Sequence, residues 1–95
     1  MEYILFIHNN NDIKTESSQW DEFFEEANKS DMFLGGSEIT YLCQLGKEKI
    51  KRASDNVGGF MRFETGTKDA LLDLLTRHPV YLAGGTLELC EMPKS

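Results

Sequence analysis

The stretch that decides the fold is residues 57–92, VGGFMRFE at 57–64 followed by TGTKDALLDLLTRHPVYLAGGTLELCEM. Val57, Gly59, Met61 and Phe63 alternate with Gly58, Phe60, Arg62 and Glu64, so one parity is apolar or glycine and the other carries the charges. That period of two predicts a strand with one face on a core. The period then changes: Leu71, Leu74, Leu75 and His78 fall at i, i+3, i+4 and i+7, with Lys68, Asp69, Asp73 and Arg77 largely off the stripe, the pattern of an amphipathic helix. Thr67 stands where its hydroxyl can cap the first turn, and Asp69 suits the positive end of the helix dipole. Pro79 stops the helix, because the residue before a proline is pushed out of helical geometry. Gly84-Gly85 allows a turn, and Thr86 to Met92 returns as a strand with Leu87 and Leu89 on one side and Thr86, Glu88, Cys90 and Met92 on the other.

The first half repeats this plan. Tyr3-Ile4-Leu5-Phe6-Ile7 is apolar on both parities, which predicts a central strand covered on both faces. His8-Asn9-Asn10-Asn11-Asp12 ends it in a polar loop. Ser18 and Asp21 fit a capping box, and Trp20, Phe23, Phe24 and Ala27 form the apolar stripe of a helix whose other face carries Asp21, Glu22, Glu25 and Glu26. The stripe is expected to be core and the carboxylates a solvated face. Phe33-Leu34-Gly35-Gly36 opens a second extended element whose glycines suggest a bulge or a close backbone approach. Ile39, Tyr41, Cys43 and Leu45 alternate with Thr40, Leu42 and Gln44, and Gly46-Lys47 then reads as a hairpin turn with Glu48 to Ala53 returning as a polar edge strand.

A chain of 95 residues is expected to form one domain, residues 1–95, small enough to gain from oligomerisation. Its net charge of -6 argues against nucleic acid as the main partner. Lys47, Lys49, Lys51 and Arg52 form the one basic cluster, read as the solvated face of the hairpin or as a contact for an anion. The apolar run Tyr3 to Ile7 is far too short to span a membrane and lacks signal-peptide architecture, so the chain is expected in the cytoplasm. Cys43 and Cys90 are too far apart in sequence to signal a zinc site or a disulfide framework.

The order strand, helix, strand with an added hairpin, strand, helix, strand predicts an α+β, ferredoxin-like βαββαβ fold, a four-stranded antiparallel sheet with both helices on one face. Tyr3, Leu5, Ile7, Val57, Met61, Phe63, Leu87 and Leu89 should face the helices. Ile4, Phe6, His8, Phe60, Arg62, Glu88 and Cys90 should share the other face, which is too apolar for open water. Tyr3 to Ile7, Leu34-Gly35-Gly36, Gly58 to Glu64, His78-Pro79 and Gly84 to Leu89 together resemble the YCII-related proteins, most closely the branch called DGPF. The resemblance spans nearly the whole chain. It implies a dimeric α/β barrel in which two sheets face each other across a central cleft. Some relatives look like lyases or dehalogenases of small aromatic compounds, and others are associated with sigma factors. Two departures stand out. Lys51 to Asn56 occupies the region of the Asp-Gly-Pro-Phe segment that names the branch, and Trp20 stands at about the position of a first-helix histidine that many members carry and that is proposed to act with an aspartate. The site residues of the family are therefore not carried over.

His8 and His78 are the only side chains whose ordinary pKa, about 6.5, suits proton transfer near neutrality. His78 reads as a helix-end cap or as a pocket residue. His8, at the end of the central strand, is better placed to act on a ligand as a base. Arg62 shares its face and could hold a carboxylate or phenolate, or pair with Glu88 or Glu64. Phe6, Phe60, Glu88 and His78 complete the candidate site. No glycine-rich phosphate loop, H-E-x-x-H or G-x-S-x-G pattern is present, so no cofactor is expected. Two functions follow. One is a noncatalytic dimeric module that binds a small anionic or phenolic ligand or a protein partner. The other is an enzyme of the lyase or dehalogenase type using acid-base chemistry.

Overall fold

The structure is a computed structural model and describes residues 1–9, 12–48, 54 and 56–93. Its elements in chain order are β1 (Glu2–His8), α1 (Ser17–Lys29), β2 (Phe33–Glu38), β3 (Val57–Glu64), α2 (Lys68–Leu75), α3 (Pro79–Leu82) and β4 (Leu87–Met92). The four strands form one antiparallel sheet in the order β2-β3-β1-β4, the ferredoxin-like arrangement that the sequence pattern predicts. The two central strands, β1 and β3, are the most apolar.

The register explains which side chains meet. Leu5 lies between Met61 and Leu89, and Tyr3 opposite Phe63, so the apolar parity of three strands forms one inner face. Phe23 and Ala27 of α1 and Leu71, Leu74 and Leu75 of α2 close over it, and Leu5, Ala27, Phe63 and Leu71 are fully buried. Fully burying a side chain of this size stabilises by about 1.5–3 kcal/mol relative to leaving it in water, which makes this layer the main cohesive element. On the other face Phe6 is flanked by Phe60 and Glu88, and Ile4 by Arg62 and Cys90. Ile4, Phe6 and Phe60 remain only half-buried there.

Several local expectations are corrected. Helix α1 starts at Ser17, so its cap is Glu16, whose amide donates to Gln19 Oε1 at 2.9 Å, two positions before the expected Ser18 cap. Of the α1 stripe only Phe23 and Ala27 are buried. Trp20 is half-buried and Phe24 exposed. Helix α2 ends at Leu75, two residues before Arg77 and short of His78. Thr67 takes the capping position but makes no side-chain capping bond; its own amide donates to Thr65 Oγ1 at 3.0 Å. Pro79 opens a helix rather than only ending one, since its fixed φ and missing N–H suit the first helical position.

The expected strand Ile39 to Leu45 is not formed. The β2–β3 ladder closes with the Ile39 amide donating to Gly58 O at 2.9 Å, and Tyr41 and Leu45 are 81% and 92% exposed. The returning strand and the basic cluster at Lys49, Lys51 and Arg52 lie outside the described residues. The glycines of β2 behave as anticipated. The register shifts between Phe33 and Gly35, Gly35 has a φ of 126°, and a Cβ on Gly36 would press on the Phe60 carbonyl oxygen and stand 2.9 Å from Met61 Cα.

Candidate functional site

A cleft of about 430 Å³ opens where the first helix overhangs the end of the sheet. Helix α1 supplies Trp20 and Phe24 as one wall, and β2 supplies Phe33. The end of β1 gives Ile7 and His8, the loop before α1 gives Ile13 and Thr15, and α3 gives Val80. The floor carries the glycines of β2 and β3. Gly59 stands on the inner parity of β3, where Val57, Met61 and Phe63 are large, and a Cβ there would come within 3.1 Å of Ser37 O and 3.8 Å of Ile7 Cδ1. Gly36, opposite Met61 on β2, is held to glycine by the β3 backbone. Both glycines line the cleft beneath an aromatic overhang, a site that is mostly apolar with a few polar edges, as small-ligand pockets are built. Those edges are Thr15, Ser37, Glu38, Asn9 and His8.

Trp20 is oriented by both of its ends. Its indole N–H donates to Thr15 Oγ1 at 2.9 Å, and its rings meet Phe24 at 6.0 Å and the His78 ring at 4.8 Å, the latter edge to face at 83°. His78 itself is completely buried behind this wall. Its Nδ1 accepts the Val80 amide N–H at 3.1 Å, which caps α3, and its ring also meets Phe23 at 4.7 Å. Burial pushes its pKa down from 6.5 to about 4, so the ring is neutral near neutrality. With Nδ1 accepting, the neutral ring carries its proton on Nε2, which has no hydrogen-bond partner among the described residues. His78 is thus a cap, but of the following helix rather than of the preceding one, and it is not among the residues lining the cleft.

The remaining sequence candidates separate into two places. His8 Nε2 meets Glu88 Oε1 across β1 and β4, at the end of the sheet where His8 contributes to the cleft. Arg62 is not paired with Glu88 or Glu64 in the way considered above; its Nη2 donates to Glu2 Oε1 at 2.8 Å. Arg62 lies opposite Ile4, four residues before His8, so the two stand about 13 Å apart along the strand. The structure therefore does not bring His8 and Arg62 together. Phe60 lines the cleft; Phe6, Arg62 and Glu88 do not. Gly59, Gly36, Thr15, Phe24 and Val80 were missed. A glycine on the core parity of an otherwise bulky strand was the available signal. Among the described residues no cluster of His, Cys, Asp or Glu could hold a metal ion, and no helix is long and apolar enough to cross a membrane.

The architecture has a solved counterpart. It is 5-chloro-2-hydroxyhydroquinone dehydrochlorinase (TftG) from Burkholderia phenoliruptrix, in complex with 2,5-dihydroxybenzoquinone. The two are 13% identical with a TM-score of 0.51, over 100% of this chain and 96% of that one. At this identity the likeness shows the fold alone. No family model matches the chain, and no curated protein matches it.

Proposed function

We propose that this chain is a YCII-related domain of the DGPF branch that acts as a cytoplasmic homodimer and binds a compact aromatic or phenolic molecule in the cleft between α1 and the floor at Gly36 and Gly59, without transforming it. The observation that carries this reading is the cleft itself, about 430 Å³ with aromatic walls, within the range of about 300–1,000 Å³ usual for small-molecule sites. The wall where the resemblance would place a histidine is Trp20, an indole that offers a stacking surface and neither gives nor takes a proton near neutrality. Among the described lining residues only His8 and Glu38 carry acid-base side chains. The single-ring molecule held by TftG agrees in size and chemistry with this reading. The half-buried outer face around Ile4, Phe6 and Phe60 is the surface expected to meet a second copy.

Trp20 is the only tryptophan, so its emission tests the reading directly. Titration with hydroquinone should quench it saturably, and Gly59→Val, which fills the floor, should abolish saturation while circular dichroism shows the fold retained. Quenching that rises without limit and equally in both proteins would mean collision in solution and would refute the cleft reading.

One observation favours a second reading, an acid-base enzyme. His8 Nε2 meets Glu88 Oε1, and in the tautomer that donates from Nε2 the lone pair lies on Nδ1, which is then the base. Chloride release from a chlorinated hydroquinone by the parent protein, lost in His8→Gln, would establish this reading in place of the first.

A further inference from the structure

We propose that His78 is the positioning residue of the cleft: a buried imidazole that holds Trp20 and Val80 from behind and releases both when it is protonated. The proposal rests on the reading of the cleft as a ligand site, because Trp20 and Val80 are two of its walls and come from separate elements. His78 touches both. Its Nδ1 accepts the Val80 amide at 3.1 Å, and its ring packs edge to face on Trp20 at 4.8 Å and against Phe23 at 4.7 Å.

The ring is completely buried, and its Nε2–H has no polar acceptor among the described residues. A buried donor without a partner is unfavourable, and the cap itself needs only the acceptor at Nδ1. What the imidazole adds is the aromatic contact with Trp20. Protonation would undo the arrangement in one step. A proton on Nδ1 takes the lone pair that accepts the Val80 N–H and sets two donors against each other. It also leaves a cation among Trp20 and Phe23 with no hydrogen-bonded counter-ion among the described residues. From α1 the ring meets Trp20 and Phe23, and from α3 it meets the Val80 amide. Burial alone accounts for its low proton affinity, with no charged group contributing. The other histidine, His8, is engaged with Glu88.

A protonated imidazole in contact with indole quenches its fluorescence, so Trp20 emission reports on His78 directly. In the parent protein emission should fall in acid with a midpoint near pH 4, and hydroquinone affinity should fall at least tenfold over the same interval. His78→Asn keeps an acceptor for Val80 and removes the ring; it should lose the emission transition and bind hydroquinone several-fold more weakly at neutral pH. His78→Phe keeps the ring contacts without the cap; it should also lose the transition while holding Trp20 emission close to the parent value. All carboxylates are present in every variant, so the difference isolates His78. A transition that survives in His78→Asn, or parent-like hydroquinone affinity in that variant at all pH values, would overturn the proposal. If hydroquinone does not bind the parent protein at all, the cleft reading falls, and the emission titration still decides whether His78 holds Trp20.

Discussion

Exchanging His78 for asparagine should change how stability depends on pH far more than any surface substitution. In the unfolded chain the imidazole has its ordinary pKa of 6.5, and in the folded protein burial lowers it to about 4. Between these values the unfolded chain takes up a proton that the folded protein refuses, so falling pH favours unfolding. The stability tied to the neutral ring is therefore fully present above pH 6.5 and is lost as pH falls toward about 4. One pKa unit corresponds to roughly 1.4 kcal/mol, so the displacement amounts to about 3 kcal/mol. Against a typical total of about 5–15 kcal/mol for a domain, this is a substantial part of the whole. Urea denaturation followed by far-ultraviolet circular dichroism, at neutral pH and near pH 4, measures it. The parent should lose about 3 kcal/mol more than His78→Asn across that interval. Parallel losses in the two proteins would show that the ring is not held neutral by the fold, and the reasoning would fail.

Other outcomes follow from the packing. Gly36→Ala should destabilise by about 1–3 kcal/mol in thermal or urea unfolding, because its Cβ would press on backbone atoms of β3 that cannot turn aside. Arg62→Met should cost no more than about 1 kcal/mol, since its pair with Glu2 is only partly withdrawn from water, and should leave hydroquinone binding unchanged by fluorescence titration. Light scattering at micromolar concentration should give the mass of a dimer, and Phe6→Glu on the outer sheet face should give a monomer that retains its circular dichroism spectrum.

The strands of the second half and the sheet order were legible because the period-two pattern at Val57 to Glu64 meets neighbours that complete it. The same pattern at Ile39 to Leu45 did not make a strand. Alternation shows only which face would be apolar, and a strand also needs a partner to take its backbone hydrogen bonds, which for β3 ends at the Ile39 amide. Helix α3 was hidden because four residues are too few to show a helical period, and Pro79 reads equally as a stop and as a first helical residue. The cleft was not legible for a related reason. Parity puts His8 and Arg62 on one face but says nothing of the distance along the strand, and the aromatic stripe of α1 reads as core whether or not the sheet beneath it carries side chains. Gly59 carries none, and Trp20 and Phe24 overhang the cleft.

The most direct test of the central claim is a heteronuclear NMR titration of the isotope-labelled protein with hydroquinone. The single indole N–H of Trp20 donates to Thr15 at the cleft wall, and the Gly59 amide marks the floor. Both signals should shift together along one saturable curve, while the amides of Ile4 and Arg62 on the outer sheet face stay in place. Shifts confined to Ile4, Arg62 and their neighbours, with the Trp20 indole unmoved, would contradict the account and place the ligand on the opposite face.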